Sequence, residues 1–162
     1  MAVTTFGKYQ LQERIAAGGM AEIYKAKYVA VAGVTKSVVL KRILPHYAGN
    51  RNFVSMFINE AKIASMLNHP NVLQVLDLGA QKGQHFIAME YVPGPNLLQL
   101  LRYATLAKDA RPTAFAKIVS GVSEGLYYAH NSVGPDGMPL KIVHRDINPP
   151  NIIVSIEGIP KI

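Results

Sequence analysis

"HRDINPPN", residues 144–151, sets a histidine, an arginine, a carboxylate and two asparagines around a proline pair. Asp146 and Asn151 stand five residues apart, and Pro149-Pro150 restricts the backbone between them because each ring fixes φ. A carboxylate and an amide oxygen held in so stiff a loop suit a proton acceptor and a ligand for a hard cation such as Mg²⁺. Structural readings compete at each position: Asp146 as a turn or helix cap, His144 as a packed core residue. Taken one at a time those readings win, so the decision falls to the rest of the chain.

Upstream, the apolar residues change period. Residues 8–16, 21–32 and 37–44 ("KYQLQERIA", "AEIYKAKYVAVA", "SVVLKRIL") read as strands of an antiparallel meander, with turns at 17–19 and 33–36. Past "PHYAGN", Phe53, Met56/Phe57, Ile63/Ala64 and Leu67 recur at helical steps behind an Asn50 cap, and Asn68-His69-Pro70 ends that helix. Residues 71–80 and 85–92 read as two more strands around a hairpin at 81–84. "PGPN" at 93–96 reads as a hinge between lobes. Beyond it comes a helix over 96–108, then a longer one opened by Pro112 with an apolar stripe of Phe115, Ile118/Val119, Val122, Leu126 and Ala129. Residues 131–139 are turn-rich, and 151–162 reads as a strand hairpin.

The totals suit a folded, soluble chain: 162 residues, 49% hydrophobic and 17% charged. Seventeen Lys and Arg against ten Asp and Glu give +7, which suits an anionic partner such as nucleic acid, acidic lipid or a nucleotide. The basic residues are scattered, with no run longer than Lys41-Arg42, so a nucleic-acid stripe is not indicated. The lack of cysteine excludes disulfides, thiolate metal sites and cysteine nucleophiles, and fits a cytoplasmic setting. No signal peptide is visible, and no stretch approaches the roughly 18 apolar residues of a membrane span, so no membrane contact is expected within this span.

Two charges sit where apolar residues belong. Alternation along "VVLKRIL" puts Lys41 on one strand face with Val39 and Ile43, and the helical series 53, 57, 60, 64, 67 carries Glu60 in its middle. An unpaired buried charge costs several kcal/mol, whereas a well-made pair roughly offsets its desolvation. The economical inference is that Lys41 and Glu60 meet; the alternative is that each reaches solvent at the edge of its element. "IAAGGMAEIY", 15–24, adds a turn whose Gly18 and Gly19 let backbone amides approach a phosphate, or simply close a hairpin.

In this order, glycine turn, strand lysine, helix glutamate, "HPNV", "MEYV" and "HRDxxxxN", the elements resemble the eukaryotic-type protein kinase domain. "IAAGGMAEIYKA" is most similar to its bacterial serine/threonine branch. The resemblance runs from Tyr9 onward. It implies an α+β, two-lobe fold: an N-lobe over 1–91 with an antiparallel sheet and one helix, then a hinge and an incomplete C-lobe over 92–162 with the first helices and the catalytic loop. It implies ATP and Mg²⁺ as cofactors and a protein substrate with a Ser/Thr acceptor. Residues 15–23, with Ile15, Gly18 and Gly19, would form a lid on the phosphates, and Lys41 would hold the α- and β-phosphates while paired with Glu60. Ile23, Val39 and Ile153 would enclose the adenine, Met89 would be the gatekeeper, the backbones of Glu90 and Val92 would meet the adenine edge, and Asn96 the ribose. Asp146 would orient the substrate hydroxyl and accept its proton, Asn151 would bind Mg²⁺, and His144 and Arg145 would brace the loop.

Four departures stand out. Ala16 and Ala21 replace the first and third loop glycines, restricting φ in the lid. Asn148 stands where serine/threonine kinases carry a lysine, which removes a positive charge near the transition state and weakens the preference for Ser/Thr over Tyr. The family's Asp-Phe-Gly motif is due just past "IPKI", so the active site is expected to be incomplete within these residues, the activity to be that of the parent kinase, and this span alone to be inactive or nearly so. "GPDGMP" at 134–139 resembles an inserted surface turn. The alternative reading is a truncated pseudokinase that binds nucleotide or a partner without catalysis.

Overall fold

In the computed structural model, which describes residues 4–30, 33–106 and 111–162, the period-two stretches before residue 50 all form strands. They are β1 (Thr4–Phe6), β2 (Tyr9–Gly18), β3 (Ala21–Val29) and β4 (Thr35–Ile43). With β5 (Val75–Gln81) and β6 (Gln84–Glu90) they make one antiparallel sheet in the order β1-β2-β3-β4-β6-β5. Lys82 and Gly83, at φ 50° and 78°, form the left-handed two-residue turn that matches the twist of the β5–β6 hairpin. The last two residues of the strand expected over 21–32 lie outside the described residues.

The chain divides into two compact units, Met1–Ser65 with Gln74–Tyr91, and Met66–Leu73 with Val92–Ile162. In the first, the sheet buries both faces. Ala26, Val38, Leu40, Phe86 and Ala88 close on Phe6, Tyr9 and Leu11, with Phe86 edge-on to Phe6 and Tyr9. The curl is tied by Tyr9, whose hydroxyl donates to Asp77 Oδ2 at 2.7 Å, and by Lys8, 3.0 Å from the same oxygen. On the other face Ile43 and Ile87 pack on Phe57 and Ala61 of α1 (Arg51–Ser65). Asn50 caps this helix as expected, its Oδ1 accepting from Phe53 N at 3.1 Å.

Three expectations for this region are corrected. The buried edge of α1 runs through Phe57 and Ala61, so Glu60 sits on the flank, its side chain 63% exposed. The helix stops at Ser65, so Leu67 is not on its face; Leu67 packs with Val72 and Ala129 in the second unit. The strand expected from residue 71 begins only at Val75. Residues 71–73 are drawn away by bonds that no local pattern reveals: Asn71 Nδ2 donates to Pro160 O at 2.8 Å, Ile162 N to Asn71 O at 3.0 Å, and Leu73 N to Ile162 O at 2.7 Å.

The second unit holds α2 (Leu97–Leu106), α3 (Pro112–Asn131), a 3-10 turn at Pro149–Asn151 and a small hairpin of β7 (Ile153–Val154) and β8 (Pro160–Lys161). Residues 107 and 108 of the first expected helix lie outside the described residues. Pro112 opens α3, where its missing N–H is no loss. Ile118, Val122, Ile152 and Val154 form the core with Leu97, Leu100, Phe115, Leu126 and Ile162. Val119 is not part of the stripe, being 62% exposed. The reason is Gly121 and Gly125, which bring α3 against Asn71 and Pro160 and so turn its buried face through 118, 121, 122, 125 and 129. Among the described residues no helix is long and apolar enough to cross a membrane.

Candidate active site

β3 pairs with β4 without interruption from Ala21↔Ile43 to Val29↔Thr35. Cross-strand partners share a face, so Ile23 stands beside Lys41 and Lys25 beside Val39. Across β4, Lys41 meets Ile87 and Val39 meets Met89. One face of the first unit therefore gathers Ile23, Val39, Lys41 and Met89, all half-buried.

Lys41 Nζ lies 2.9 Å from Glu60 Oε1, so the two charges singled out by the sequence do meet. Water reaches and screens both, with side-chain exposures of 28% for Lys41 and 63% for Glu60. Such a pair adds at most about 1 kcal/mol to stability. Rescue of buried charge is therefore not its reason. Its effect is to hold the ammonium in one direction, above the ring of Phe57 at 5.7 Å.

The glycine turn ends β2 at Gly18 and turns at Gly19, whose φ of +56° favours glycine. A Cβ at either position would meet nothing within 4 Å, so the turn is open to an incoming group. Ile15 is exposed, at an irregularity in the β2–β3 pairing between Arg14 and Ala16. Glu90 is engaged with Gln74: its N–H donates to Gln74 O at 3.0 Å and its Oε1 accepts from Gln74 N at 2.8 Å.

In the second unit the loop of 144–151 is exposed over His144 to Ile147, which removes the core reading of His144. Arg145 adopts φ +64°, a left-handed conformation that costs a non-glycine residue energy and bends the chain sharply ahead of Asp146. Asp146 is not the cap. That role falls to Asn148, whose Oδ1 accepts from Asn151 N at 3.2 Å at the head of the 3-10 turn. Asn148 Nδ2 donates to Asp146 Oδ1, and Asn151 Nδ2 to Asp146 Oδ2, each at 2.7 Å. Asn151 Nδ2 also reaches the Asp146 carbonyl at 3.0 Å. Both carboxylate oxygens are thus oriented by neutral amides.

With its nitrogen so occupied, Asn151 has its side-chain oxygen to offer a hard cation. Among the described residues no three His, Cys, Asp or Glu converge on a metal site. A Mg²⁺ held here would need phosphate oxygens and water as its other ligands, the usual arrangement for that ion. Asn96 and Ile153 are neighbours through a β-bridge. Asn96 begins α2 in a reciprocal capping box, its Oδ1 accepting from Gln99 N and Gln99 Oε1 accepting from Asn96 N, both at 2.9 Å. Val92 is buried.

A third charged group stands outside the motifs of the sequence. Glu22, Tyr24 and Arg42 form a partly buried cluster in which Arg42 Nε donates to Glu22 Oε1 at 2.6 Å and the Tyr24 hydroxyl to Glu22 Oε2 at 2.8 Å. Burial pushes the Glu22 carboxyl up, but the hydrogen bonds from Tyr24 and Arg42 and the positive charges of Arg42 and Arg14 outweigh it and hold it below the ordinary value. Burial and the same carboxylate raise the Tyr24 phenol. A signal was present: the alternation that sets Ile23 and Lys41 on one face sets Glu22 and Arg42 together on the other.

The protein kinase domain family matches residues 9–162. Tyrosine-protein kinase MasK of Myxococcus xanthus is 39% identical over 97% of this chain and 24% of its own length. Serine/threonine-protein kinase PrkC of Bacillus subtilis is 33% identical over 94% of this chain and 21% of its own. Among solved structures, the PknI kinase domain of Mycobacterium tuberculosis superposes with a TM-score of 0.69 at 30% identity, over 96% of this chain and 57% of that one. The chain therefore spans about a quarter of the length of these curated relatives.

Proposed function

The chain belongs to the protein kinase domain family, and on that premise we propose that it is part of a kinase that transfers the γ-phosphoryl group of ATP, bound with Mg²⁺, to a serine or threonine hydroxyl of a protein substrate. The observation that carries this reading is the Lys41–Glu60 pair at 2.9 Å, an exposed ion pair of little value to stability that fixes a cation on the face of Ile23, Val39 and Met89.

In this reading residues 1–91 are the N-lobe and 92–162 open the C-lobe. Within the first unit, Ile23, Val39 and Met89 offer the purine an apolar surface, the backbone of Glu90 meets its edge, Ile15, Gly18 and Gly19 cover the phosphates, and Lys41 binds two of them. Within the second, Val92, Asn96 and Ile153 contribute to nucleotide binding, and Asn151 supplies an oxygen to Mg²⁺. Asp146 accepts the hydroxyl proton as the new O–P bond forms and the bond from the γ-phosphorus to ADP breaks. The amides of Asn148 and Asn151 keep its two oxygens oriented for that proton.

A second reading, with tyrosine as acceptor, is favoured by two observations: a relative at 39% identity is named a tyrosine kinase, and Asn148 stands in place of a lysine. One experiment separates them. A kinase that carries these residues together with the Asp-Phe-Gly motif is incubated with ATP labelled at the γ-phosphate and mixed protein acceptors, and the labelled amino acid is identified. Phosphoserine or phosphothreonine, absent with Lys41→Ala and Asp146→Ala, is the expected result. Phosphotyrosine selects the second reading. MgATP binding that needs Lys41, without transfer, makes the protein a nucleotide-binding module.

A further inference from the structure

Glu22 has no part in the chemistry above, yet it is a carboxylate only 6% exposed. It precedes Ile23 on β3, and its strand partner Arg42 follows Lys41 on β4. The pair therefore occupies the sheet face opposite the one that carries Lys41. Its polar atoms are taken up: one carboxylate oxygen by Arg42 Nε, the other by the Tyr24 hydroxyl, which also lies 3.4 Å from Arg42 Nη2. The guanidinium packs on the rings of Tyr24 and Phe6, 4.9 and 5.4 Å from their centres. A buried pair completed in this way offsets its desolvation, whereas removing one partner strands the other.

Its place in the sheet gives it a task. On the way to the glycine turn, β2 loses regular pairing with β3 twice, between Leu11 and Glu13 and between Arg14 and Ala16. Only three rungs, Ala16↔Ile23, Ala17↔Glu22 and Gly18↔Ala21, tie β3 to β2 beyond the last irregularity, whereas the pairing with β4 is unbroken and Glu22↔Arg42 is its second rung from the turn. A slip of one residue exchanges the two faces, turning Ile23 inward and Glu22 outward.

We propose that Glu22, Tyr24 and Arg42 are positioning residues that lock the strand leaving the glycine turn to the strand carrying Lys41, so that nucleotide affinity depends on an ion pair on the opposite face of the sheet. This rests on the nucleotide-binding reading.

The test measures the Kd for MgATP by calorimetry, with melting temperature alongside, for the wild type, Lys41→Ala, Glu22→Ala, Glu22→Gln, Arg42→Lys and Val38→Ala. Val38, 2% exposed on the same face, reports what lost packing alone does. Val38→Ala is expected to lower the melting temperature and leave Kd within about twofold, while Glu22→Ala weakens binding about tenfold, with Glu22→Gln and Arg42→Lys between. In the transfer assay, Glu22→Ala raises the KM for ATP and leaves kcat nearly unchanged. If Glu22→Ala does not fold, Glu22→Gln and Arg42→Lys decide, and wild-type Kd values in both overturn the proposal. Wild-type binding that needs Lys41, with Glu22→Ala matching Val38→Ala in Kd, overturns it alone. A wild type that binds no MgATP overturns it together with the nucleotide reading.

Discussion

Asn148 Nδ2 donates to Asp146 Oδ1 at 2.7 Å, so the residue standing in place of a family lysine is turned onto the carboxylate beside it. The same side chain caps the 3-10 turn that carries Asn151. Asn148 thus links the two residues proposed for proton acceptance and metal ligation.

Asn148→Ala is expected to lower kcat about tenfold, since a hydrogen bond to a charged group contributes about 1.5–3 kcal/mol, while the Kd for MgATP barely moves. Steady-state kinetics with ATP and acceptor varied separately checks the split. A rise in the Kd for ATP without a fall in kcat would remove Asn148 from the Asp146 side of the reaction.

Glu60→Ala is expected to change unfolding free energy by less than about 1 kcal/mol, because the pair it breaks is exposed. Turnover should nevertheless fall about 10²-fold, since a misdirected Lys41 no longer meets the charge it is meant to balance. Denaturant titration and the transfer assay on one protein sample check both halves.

That pair also shows what was legible in the sequence. The periods of β4 and α1 brought Lys41 and Glu60 together correctly, although the reason offered, two charges buried among apolar residues, fails for Glu60 on the helix flank. Local signals such as the Asn50 cap, Pro112 at the head of α3 and the turn at Lys82-Gly83 stand in the structure as read. What escaped is non-local. Asn71 and Leu73 read as strand residues until the bonds to Pro160 and Ile162 are known, and Val119 reads as core until Gly121 and Gly125 bring α3 against residue 71. Asn148 was an exception with a local signal, an asparagine before proline at the start of a turn, hidden by attention to the charge it lacks.

Acid should destabilise the first unit in a defined window. The carboxyls of Glu22 and Asp77 both resist burial's upward push and lie below their ordinary values of 4.5 and 3.8, held there by Tyr24 and Arg42 in one case and by Tyr9 and Lys8 in the other. A depressed folded pKa contributes stability that is full above the unfolded value and is lost as pH falls through the folded one. Stability should therefore hold from neutrality down to about pH 5 and decline below about pH 4.5, less steeply in Glu22→Gln. Denaturation midpoints measured across pH 3–7 check the slope.

Gly94 and Gly158 separate close approach from backbone conformation. Both have positive φ, +155° and +81°, so alanine is strained at either. At Gly158 a Cβ meets nothing within 4 Å, and only that strain, about 1 kcal/mol, is expected. At Gly94 a Cβ would lie 1.9 Å from the carbonyl oxygen of Val154. Neither backbone can yield without losing the bonds from Leu97 N to Ile152 O, Val154 N to Pro95 O and Ile156 N to Pro93 O, all 2.8–2.9 Å, that seat Asn96 beside Ile153. Gly94→Ala should therefore cost several kcal/mol, about 1 for each bond lost beyond the strain, and loosen the segment at 93–97. Hydrogen exchange at Leu97, Val154 and Ile156 should rise in Gly94→Ala and stay at wild-type rates in Gly158→Ala; equal protection in the two variants would mean that this segment is not held by the approach of Gly94 to Val154.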